Sequence, residues 1–329
     1  MAPRLRGRAC LNSVEEFEEL RPLLFAIAYR ILGSVSEAED AVQESWLRYD
    51  ASPTPPASTK AFLSAVVARI SIDVLRSARV RREEYVGPWL PEPLLTDPYE
   101  DPERSAELAD SVSVAALLLM ERLSPLERAV FVLREVFGFG FSEVAAAVGR
   151  SEAACRQLAA RARRHMDAGR PRFTVDSRER EKLASRFFDA LREGEVDSLR
   201  ELLAADVQLL WDSGGKLPQW ARPMIGPGKV ARALVATVPP LFRIGVALEL
   251  RDVNYQPGAV FRDRDAKVLC TLALDIVDGR VQAIRSVINP DKLGHMGPVG
   301  DAWAVMREAT QARRVPSAQL GQEGARYDR

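Results

Sequence analysis

The sequence predicts a multidomain protein in which two all-α regions precede a C-terminal α+β domain. Three observations predict this fold class: apolar residues at helical spacing over 13–82 and 111–166, an acidic proline-rich segment between them, and β-prone segments only after residue 204. At 329 residues the chain is longer than a typical domain of roughly 150 residues, so more than one core is expected.

The first all-α region is predicted over residues 13–84. Ser13 with Glu16 has the spacing of an N-terminal capping box, and Gly33 ends the helix that follows. Ser36 with Glu39 predicts a second capping box and a second helix. After a proline-rich loop, helical periodicity resumes, so a third helix is expected up to Arg82.

Residues 85–110 read as an acidic, proline-rich linker. It contains the apolar residues Trp89, Leu90, Leu94 and Leu95, which predict that the linker docks on a folded part of the chain.

The second all-α region, residues 111–168, has the pattern of a helix-turn-helix. Ser124, Pro125 and Glu127 predict a helix start, and that helix should end near Gly138. A short helix, a turn at Gly149 and an N-cap at Ser151 then predict the two helices of the motif.

A helical wheel divides the last helix of this motif into two faces. One face is the predicted core side and carries Ala154, Leu158, Ala162 and Met166. The opposite face carries Ala153, Arg156, Gln157, Ala160 and Arg164. Arginine and glutamine can bind guanine and adenine edges, and alanine permits close approach to DNA, so this face suits base recognition. A solvated basic face is the alternative.

Charge is distributed in sectors although the formal net charge is zero. Basic stripes cover residues 69–82 and 150–172, and acidic blocks cover 15–19, 37–44 and 92–110. The first basic stripe is compatible with a solvated helix face as well as with nucleic acid. The acidic block at 37–44 indicates a protein partner in addition to DNA.

The C-terminal part predicts an α+β domain over residues 176–293. Two amphipathic helices over 178–204 precede β-prone segments, and Asp278-Gly279 is a strong hairpin signal. We expect the strands to be antiparallel. Residues 294–329 are predicted to hold a C-terminal helix and, beyond about residue 312, a mobile tail.

Composition excludes several classes of site. The chain has two histidines, His165 and His295, and three widely separated cysteines, so a metal site, a disulfide framework and a cofactor are not expected. No long apolar run or cleavable leader is evident, which predicts a cytoplasmic protein without a membrane partner.

Several segments resemble a known family. EDAVQESW, SIDVLRSARVRREEY and the stretch from LSPLERAV to ARRHM resemble regions 2 and 4 of bacterial extracytoplasmic-function (ECF) sigma factors, the promoter-reading subunits of RNA polymerase. YVGPWLPEP, DSGGK at 212–216 and NPDKL at 289–293 resemble motifs of their SigJ-like class, whose C-terminal domain is SnoaL-like with the NTF2-like cone fold. Ser213 stands where that class has glycine; an ordinary φ at Ser213 would keep the loop geometry.

The resemblance implies four groups of functional residues. A polymerase-binding group faces the β′ clamp helices: Glu39, Asp40, Gln43, Glu44 and Trp46. A second group would contact the melted minus-ten element: Lys60, Arg69, Asp73, Arg76 and Arg79. A third group would read the minus-35 element: Ser151, Ala153, Arg156, Gln157, Ala160, Arg161 and Arg164. The interdomain group comprises Trp89, Leu90, Pro91, Glu92, Pro93, Asp212, Gly214, Gly215, Lys216, Asn289, Pro290, Asp291 and Lys292.

The predicted function is therefore that of a sigma factor, not an enzyme, which binds RNA polymerase core through the clamp helices and the β flap and directs it to promoter DNA. The resemblance implies that the C-terminal domain regulates it in cis. Two alternatives stay open: a cone domain that binds a small ligand or is weakly catalytic through Asp212, Asp275 or His295, and a repressor that uses only its helix-turn-helix. Lys216 could bind an anion or anchor a loop.

Overall fold

The computed structural model describes residues 4–83, 85–99, 101, 105–169, 177–216 and 222–314. These residues form two units. The first unit comprises Met1–Thr174, Gly214–Ala221 and Asp252–Gln256, and the second comprises Val175–Ser213, Arg222–Arg251 and Pro257–Arg329. The predicted fold class is confirmed, with helical domains in the first unit and an α+β domain in the second. The boundaries at 84, 110, 168 and 293 stay predictions.

Three long helices begin the first unit: α1 (Arg4–Leu32), α2 (Val35–Asp50) and α3 (Thr59–Glu83). Two predicted helix starts were wrong. Helix α1 already runs through Ser13, because the preceding Arg, Leu and Ala residues are good helix formers. Helix α2 is capped by Ser34 instead of Ser36, since the left-handed Gly33 (φ 70°) leaves only one extended residue before the chain turns helical again.

The remaining helices of the first unit are short: α4 (Ser105–Val112), α5 (Val114–Met120), α6 (Pro125–Phe131), α7 (Phe141–Val148) and α8 (Glu152–Gly169). The α6 start has the predicted capping box, with Ser124 and Glu127 hydrogen-bonded reciprocally. A π-helical turn over Val132–Val136 extends α6 towards Gly138. Helix α4 begins within the predicted linker, at Ser105.

The core of these helices is continuous. Side chains from α1, α3, α6 and α8, among them Leu24, Leu63, Val130 and Ala162, are fully buried in one hydrophobic cluster. Leu90 and Leu94 of the linker are also buried, in agreement with the prediction that the linker docks.

The second unit contains a six-stranded sheet of order β2-β1-β6-β5-β4-β3. Its strands are β1 (Leu203–Asp212), β2 (Met224–Ile225), β3 (Ala247–Val253), β4 (Gln256–Arg262), β5 (Val268–Val277) and β6 (Arg280–Val287). Strands β1 and β6 are parallel, which corrects the expectation of a wholly antiparallel sheet. Asp278 and Gly279 both have positive φ in the predicted β5–β6 turn.

Four helices accompany this sheet: α9 (Ser177–Glu193), α10 (Val196–Leu202), α11 (Pro227–Arg243) and α12 (Ala302–Arg314). Helices α9 and α10 were expected, whereas α11 was not. Of the mobile tail predicted beyond about residue 312, residues 315–329 lie outside the described residues. Within the part of the chain that the structure describes, no helix is both long and apolar enough to cross a bilayer.

Candidate nucleic-acid and partner interface

Helix α8 presents one continuous exposed face. Ser151 caps the helix by accepting a hydrogen bond from the Ala154 amide at 3.2 Å. The other residues predicted to read DNA are all exposed: Ala153, Arg156, Gln157, Ala160, Arg161 and Arg164. Cys155, Ala159, Ala162 and Met166 are buried, and the predicted core residues Ala154 and Leu158 are half-buried. The core face is therefore rotated slightly from the prediction, and the residues predicted to read DNA are exposed.

The α8 arginines make exposed contacts within the helical unit. The Arg156 guanidinium lies 2.8 Å from the Glu152 carboxylate and 5.0 Å from the centre of the Phe141 ring. Arg164 Nε donates to the Ala160 carbonyl at 3.3 Å. Exposed ion pairs contribute little stability, so these side chains can exchange to another anionic partner at small cost.

Arg161 of the same helix contacts the acidic residue of the α6 capping box. Its Nε lies 3.0 Å from Glu127 Oε1. Partial burial would raise the pKa of Glu127, but hydrogen bonds from Ser124 and the charge of Arg161 outweigh it and lower that pKa below its ordinary value.

The residues predicted for minus-ten contact lie on α3, and two of them face the helices of 111–169. Arg69 Nε donates to the Ala147 carbonyl at 2.8 Å, and Arg69 Nη2 donates to the Ala146 carbonyl, both at the end of α7. The Lys60 ammonium lies 5.8 Å from the centre of the Phe139 ring. Asp73 and Arg76 form an exposed pair at 3.0 Å. The side chain of Arg79 lies outside the described residues.

The residues predicted to bind polymerase lie on α2. Asp40 and Gln43 are exposed. Glu39 pairs with Arg21 at 2.5 Å, and Glu44 pairs with Arg48 at 2.9 Å. Trp46 is half-buried, with its ring 4.9 Å from that of Phe17, so it supports the acidic surface from below.

Glu92 of the linker holds the start of α2. Its buried carboxylate accepts hydrogen bonds from the Ser34 hydroxyl and the Val35 amide, each at 2.8 Å, and from the Ser36 amide at 3.1 Å. The Glu92 amide donates to the Gly33 carbonyl at 2.9 Å. An anion at a helix N-terminus is favourable because the free amides and the helix dipole both point towards it.

The linker residues beside Glu92 complete this contact. Leu90, Pro91 and Pro93 are buried, and Trp89 is half-buried. A Cβ added to Gly33 would lie 3.0 Å from the Trp89 ring, so Gly33 is required both by its φ and by this close approach.

Asn254 was not predicted as a site residue, although its hydrogen bonds join three segments of the first unit. Its backbone amide donates to the Leu94 carbonyl at 2.7 Å, and its Oδ1 accepts from the Leu94 amide at 3.1 Å. Its Nδ2 donates to the Tyr29 hydroxyl at 2.7 Å and to the Val112 carbonyl at 3.0 Å. A turn between two strands was the signal in the sequence that could have found Asn254. In the structure, Asn254 and Tyr255 have φ of 55° and 56°.

In the second unit, the two C-terminal motifs meet. Lys292 Nζ lies 2.7 Å from Asp212 Oδ2 in a buried ion pair, and the Asp212 carbonyl accepts from the Ile288 and Asn289 amides. Asn289 caps the 3-10 turn Pro290–Lys292 by accepting from the Asp291 amide. Asp275, the other carboxylate considered for catalysis, pairs with Arg285.

The DSGGK loop continues into the first unit. Gly214 and Gly215 have φ of 63° and 75°, whereas Ser213 is not among the residues with positive φ, so serine fits where the SigJ-like class has glycine. A Cβ on Gly215 would lie 3.0 Å from Val86 Cβ. Lys216 is exposed.

Burial raises the pKa of the Cys270 thiol to about 12, although a hydrogen bond with Ser286 opposes it. That thiol is therefore protonated at neutral pH and is a poor nucleophile.

Comparison with known proteins identifies the family. Residues 17–81 match Sigma-70 region 2, and residues 113–166 match Sigma-70 region 4. The ECF RNA polymerase sigma factor SigJ of Mycobacterium tuberculosis is 39% identical over 294 residues, which cover 85% of this chain and 92% of that protein. The chain belongs to the ECF RNA polymerase sigma factors. As a member of this family it directs RNA polymerase to promoters.

The solved structure of one relative agrees with this assignment. The crystal structure of SigJ from Mycobacterium tuberculosis is similar with a TM-score of 0.67 and 36% identity, over 85% of this chain and 98% of that chain. An NTF2-like protein from Burkholderia xenovorans LB400 is similar over 37% of this chain and 98% of its own, with 17% identity and a TM-score of 0.27.

Proposed function

We propose that α8 reads the minus-35 element of the promoter. The observation that carries this proposal is the exposed face of α8, where Arg156 and Gln157 stand beside Ala153 and Ala160. Long polar side chains can reach base edges in the major groove, and the small alanines let the helix approach them. Arg161 and Arg164 are exposed on the same helix and would contact phosphates at the edge of this face.

The exposed acidic surface of α2 is proposed to dock on the clamp helices of the polymerase β′ subunit, and the helices of 111–169 on the β flap. Asp40 and Gln43 are exposed there, and Glu39 and Glu44 are engaged only in surface ion pairs. Such pairs are easily exchanged for a basic partner surface.

Region 2 is proposed to contact the minus-ten element only after α7 leaves α3. In the free chain Arg69 is bound to the last carbonyls of α7, and Lys60 lies against Phe139. Promoter contact through these cations then requires the two regions to separate. This arrangement supports weak binding of promoter DNA by the chain without polymerase.

The C-terminal domain is proposed to regulate the sigma factor in cis through the hairpin tip Asp252–Gln256. That segment belongs to the first unit, where Asn254 binds α1, the linker and the end of α4. Asp212 and Asp275 are engaged by Lys292 and Arg285, which favours a structural role for these carboxylates over catalysis.

Run-off transcription with core polymerase tests the α8 assignment in the full chain. Arg156→Ala and Gln157→Ala are each expected to reduce discrimination between correct and altered minus-35 sequences by about 1–3 kcal/mol per lost bidentate contact. Arg163→Ala is the matched control, because Arg163 is exposed on the same helix but pairs with Glu135 at 2.7 Å. Unchanged promoter selectivity in both α8 variants would disprove the assignment.

A further inference from the structure

A buried chain of hydrogen bonds connects the hairpin tip to the start of α2. Asn254 Nδ2 donates to Tyr29 Oη at 2.7 Å, and Tyr29 Oη donates to the Glu92 carbonyl at 2.7 Å. The carboxylate of the same Glu92 accepts from the Val35 and Ser36 amides. Asn254, Tyr29 and Glu92 are buried, and Tyr29 and Asn254 are separated by 225 positions in the sequence.

Tyr29 is suited to the middle of this chain. A phenolic hydroxyl can accept one hydrogen bond and donate another at the same time. Burial raises the pKa of Tyr29 far above its ordinary value, so the hydroxyl keeps its proton at any physiological pH. The two bonds therefore persist together, and each polarises the other in the buried environment.

The linker is fixed on both sides of Glu92. Leu94, two residues later, exchanges two hydrogen bonds with Asn254, and Gly33 receives the Glu92 amide. A displacement of Asn254 would release Leu94 and Tyr29 together, and the Tyr29 hydroxyl, which donates to the Glu92 carbonyl, would lose the donor that orients it. The Val35 and Ser36 amides at the start of α2 depend on the Glu92 carboxylate as their hydrogen-bond acceptor.

We infer that Asn254 and Tyr29 are positioning residues that set the start of α2, the helix proposed to bind polymerase. The hairpin tip acts on α2 through the linker residue Glu92, and not through the DNA-reading helix α8. This inference rests on the proposed cis regulation and names the path that it takes.

Amide hydrogen exchange in the full-length chain tests this path directly. Asn254→Gly removes the side-chain amide while glycine retains the left-handed turn conformation, and Tyr29→Phe removes only the hydroxyl. Each variant should speed exchange of the Val35 and Ser36 amides by about two- to tenfold, the change expected for loss of one buried hydrogen bond. The double variant should exchange no faster than the faster single variant, because both remove the same path.

Two control variants isolate the path. Tyr255→Gly alters the same turn but keeps the Asn254 amide. Gln256→Ala removes the neighbouring hydrogen bond, in which Gln256 Oε1 accepts from the Val114 amide at 3.1 Å. Both should leave exchange at Val35 and Ser36 at the wild-type rate. Unchanged exchange in Asn254→Gly, or effects of the two path variants that multiply, would overturn the inference.

Core polymerase affinity and promoter output of the same variants separate the inference from the proposed function. Weaker polymerase binding by Asn254→Gly and Tyr29→Phe, again without additivity, supports both. Faster exchange at Val35 with wild-type affinity and output supports the positioning role and contradicts cis regulation through this hairpin. Altered affinity in Asn254→Gly with unaltered exchange keeps cis regulation and overturns the path through Glu92.

Discussion

The two helices that we propose to contact polymerase and promoter, α2 and α8, begin in different ways. Helix α8 starts with local signals: Gly149 turns the chain, with a Cβ position that faces open space, and Ser151 caps the next turn. Helix α2 has similar local residues in Gly33 and Ser34, but its first amides are bound by Glu92, far along the chain. Gly33 itself is packed beneath Trp89.

The start of α8 is therefore positioned by nearby residues, whereas the start of α2 depends on a distant segment of the chain. The start of α8 is capped by a residue within its own helix-turn-helix, so this first turn should survive changes elsewhere in the chain. The start of α2 is complete only when the linker is in place, and the linker is in turn bonded to Asn254. The proposed regulation in cis would therefore reach α2 and bypass α8.

The largest expected effect on stability comes from removing the Glu92 carboxylate, which caps α2 from the linker. Glu92→Ala should lower the free energy of unfolding by roughly 2–4 kcal/mol, because buried amides and hydroxyls lose a charged acceptor. Ser151→Ala, which removes only a local cap, should cost about 1 kcal/mol. Urea denaturation of the full-length variants measures both values. Equal losses of unfolding free energy would mean that the start of α2 depends on the distant Glu92 no more than the start of α8 depends on its local cap.

A glycine pair gives a smaller, matched comparison. Gly33 and Gly149 have φ of 70° and 65°, so alanine at either position is strained by about 1–2 kcal/mol. Only at Gly33 would the new Cβ meet a neighbour, the Trp89 ring at 3.0 Å. Gly33→Ala should therefore lower the unfolding midpoint more than Gly149→Ala in a thermal scan. The reverse order would contradict the packing described for the linker.

The smallest effect concerns acid stability of a locally capped helix, α6. The pKa of Glu127 is lowered in the folded protein, so its contribution is fully present above the unfolded value of about 4.3 and is lost as pH falls through the lower folded pKa. Glu127→Gln should make the unfolding free energy fall less steeply below about pH 4.3. Parallel pH profiles for the two proteins would contradict this role.

Local sequence signals predicted local structure well. The capping box at Ser124, the N-cap at Ser151 and the turns at Gly138 and Gly149 all involve residues within one or two helical turns of each other. The same type of reasoning failed at Ser13 and Ser36. A Ser-x-x-Glu pattern marks a helix start only where the preceding residues leave the helical conformation, and α1 is already helical at Ser13.

Features that depend on tertiary contacts could not be predicted from local sequence signals. No helix was predicted over Pro227–Arg243, where helix α11 accommodates Pro239 and Pro240 in its last turns. The parallel β1–β6 pair joins distant segments that no hairpin signal connects. Asn254 had only the signature of a turn residue, and its role depends on Tyr29, Leu94 and Val112 meeting around it.

The membership of Asp252–Gln256 in the first unit also affects the order of events on the ribosome. Tyr29 is synthesised 225 residues before its partner Asn254. At the usual rate of about 5–20 residues per second, the buried tyrosine hydroxyl waits about 10–45 seconds for that partner. Region 2 leaves the ribosome early, yet its hydrogen bonding is complete only after Asn254 has been synthesised. A nascent or prematurely terminated chain would thus present a sigma region whose linker lacks its hydrogen bonds to Asn254.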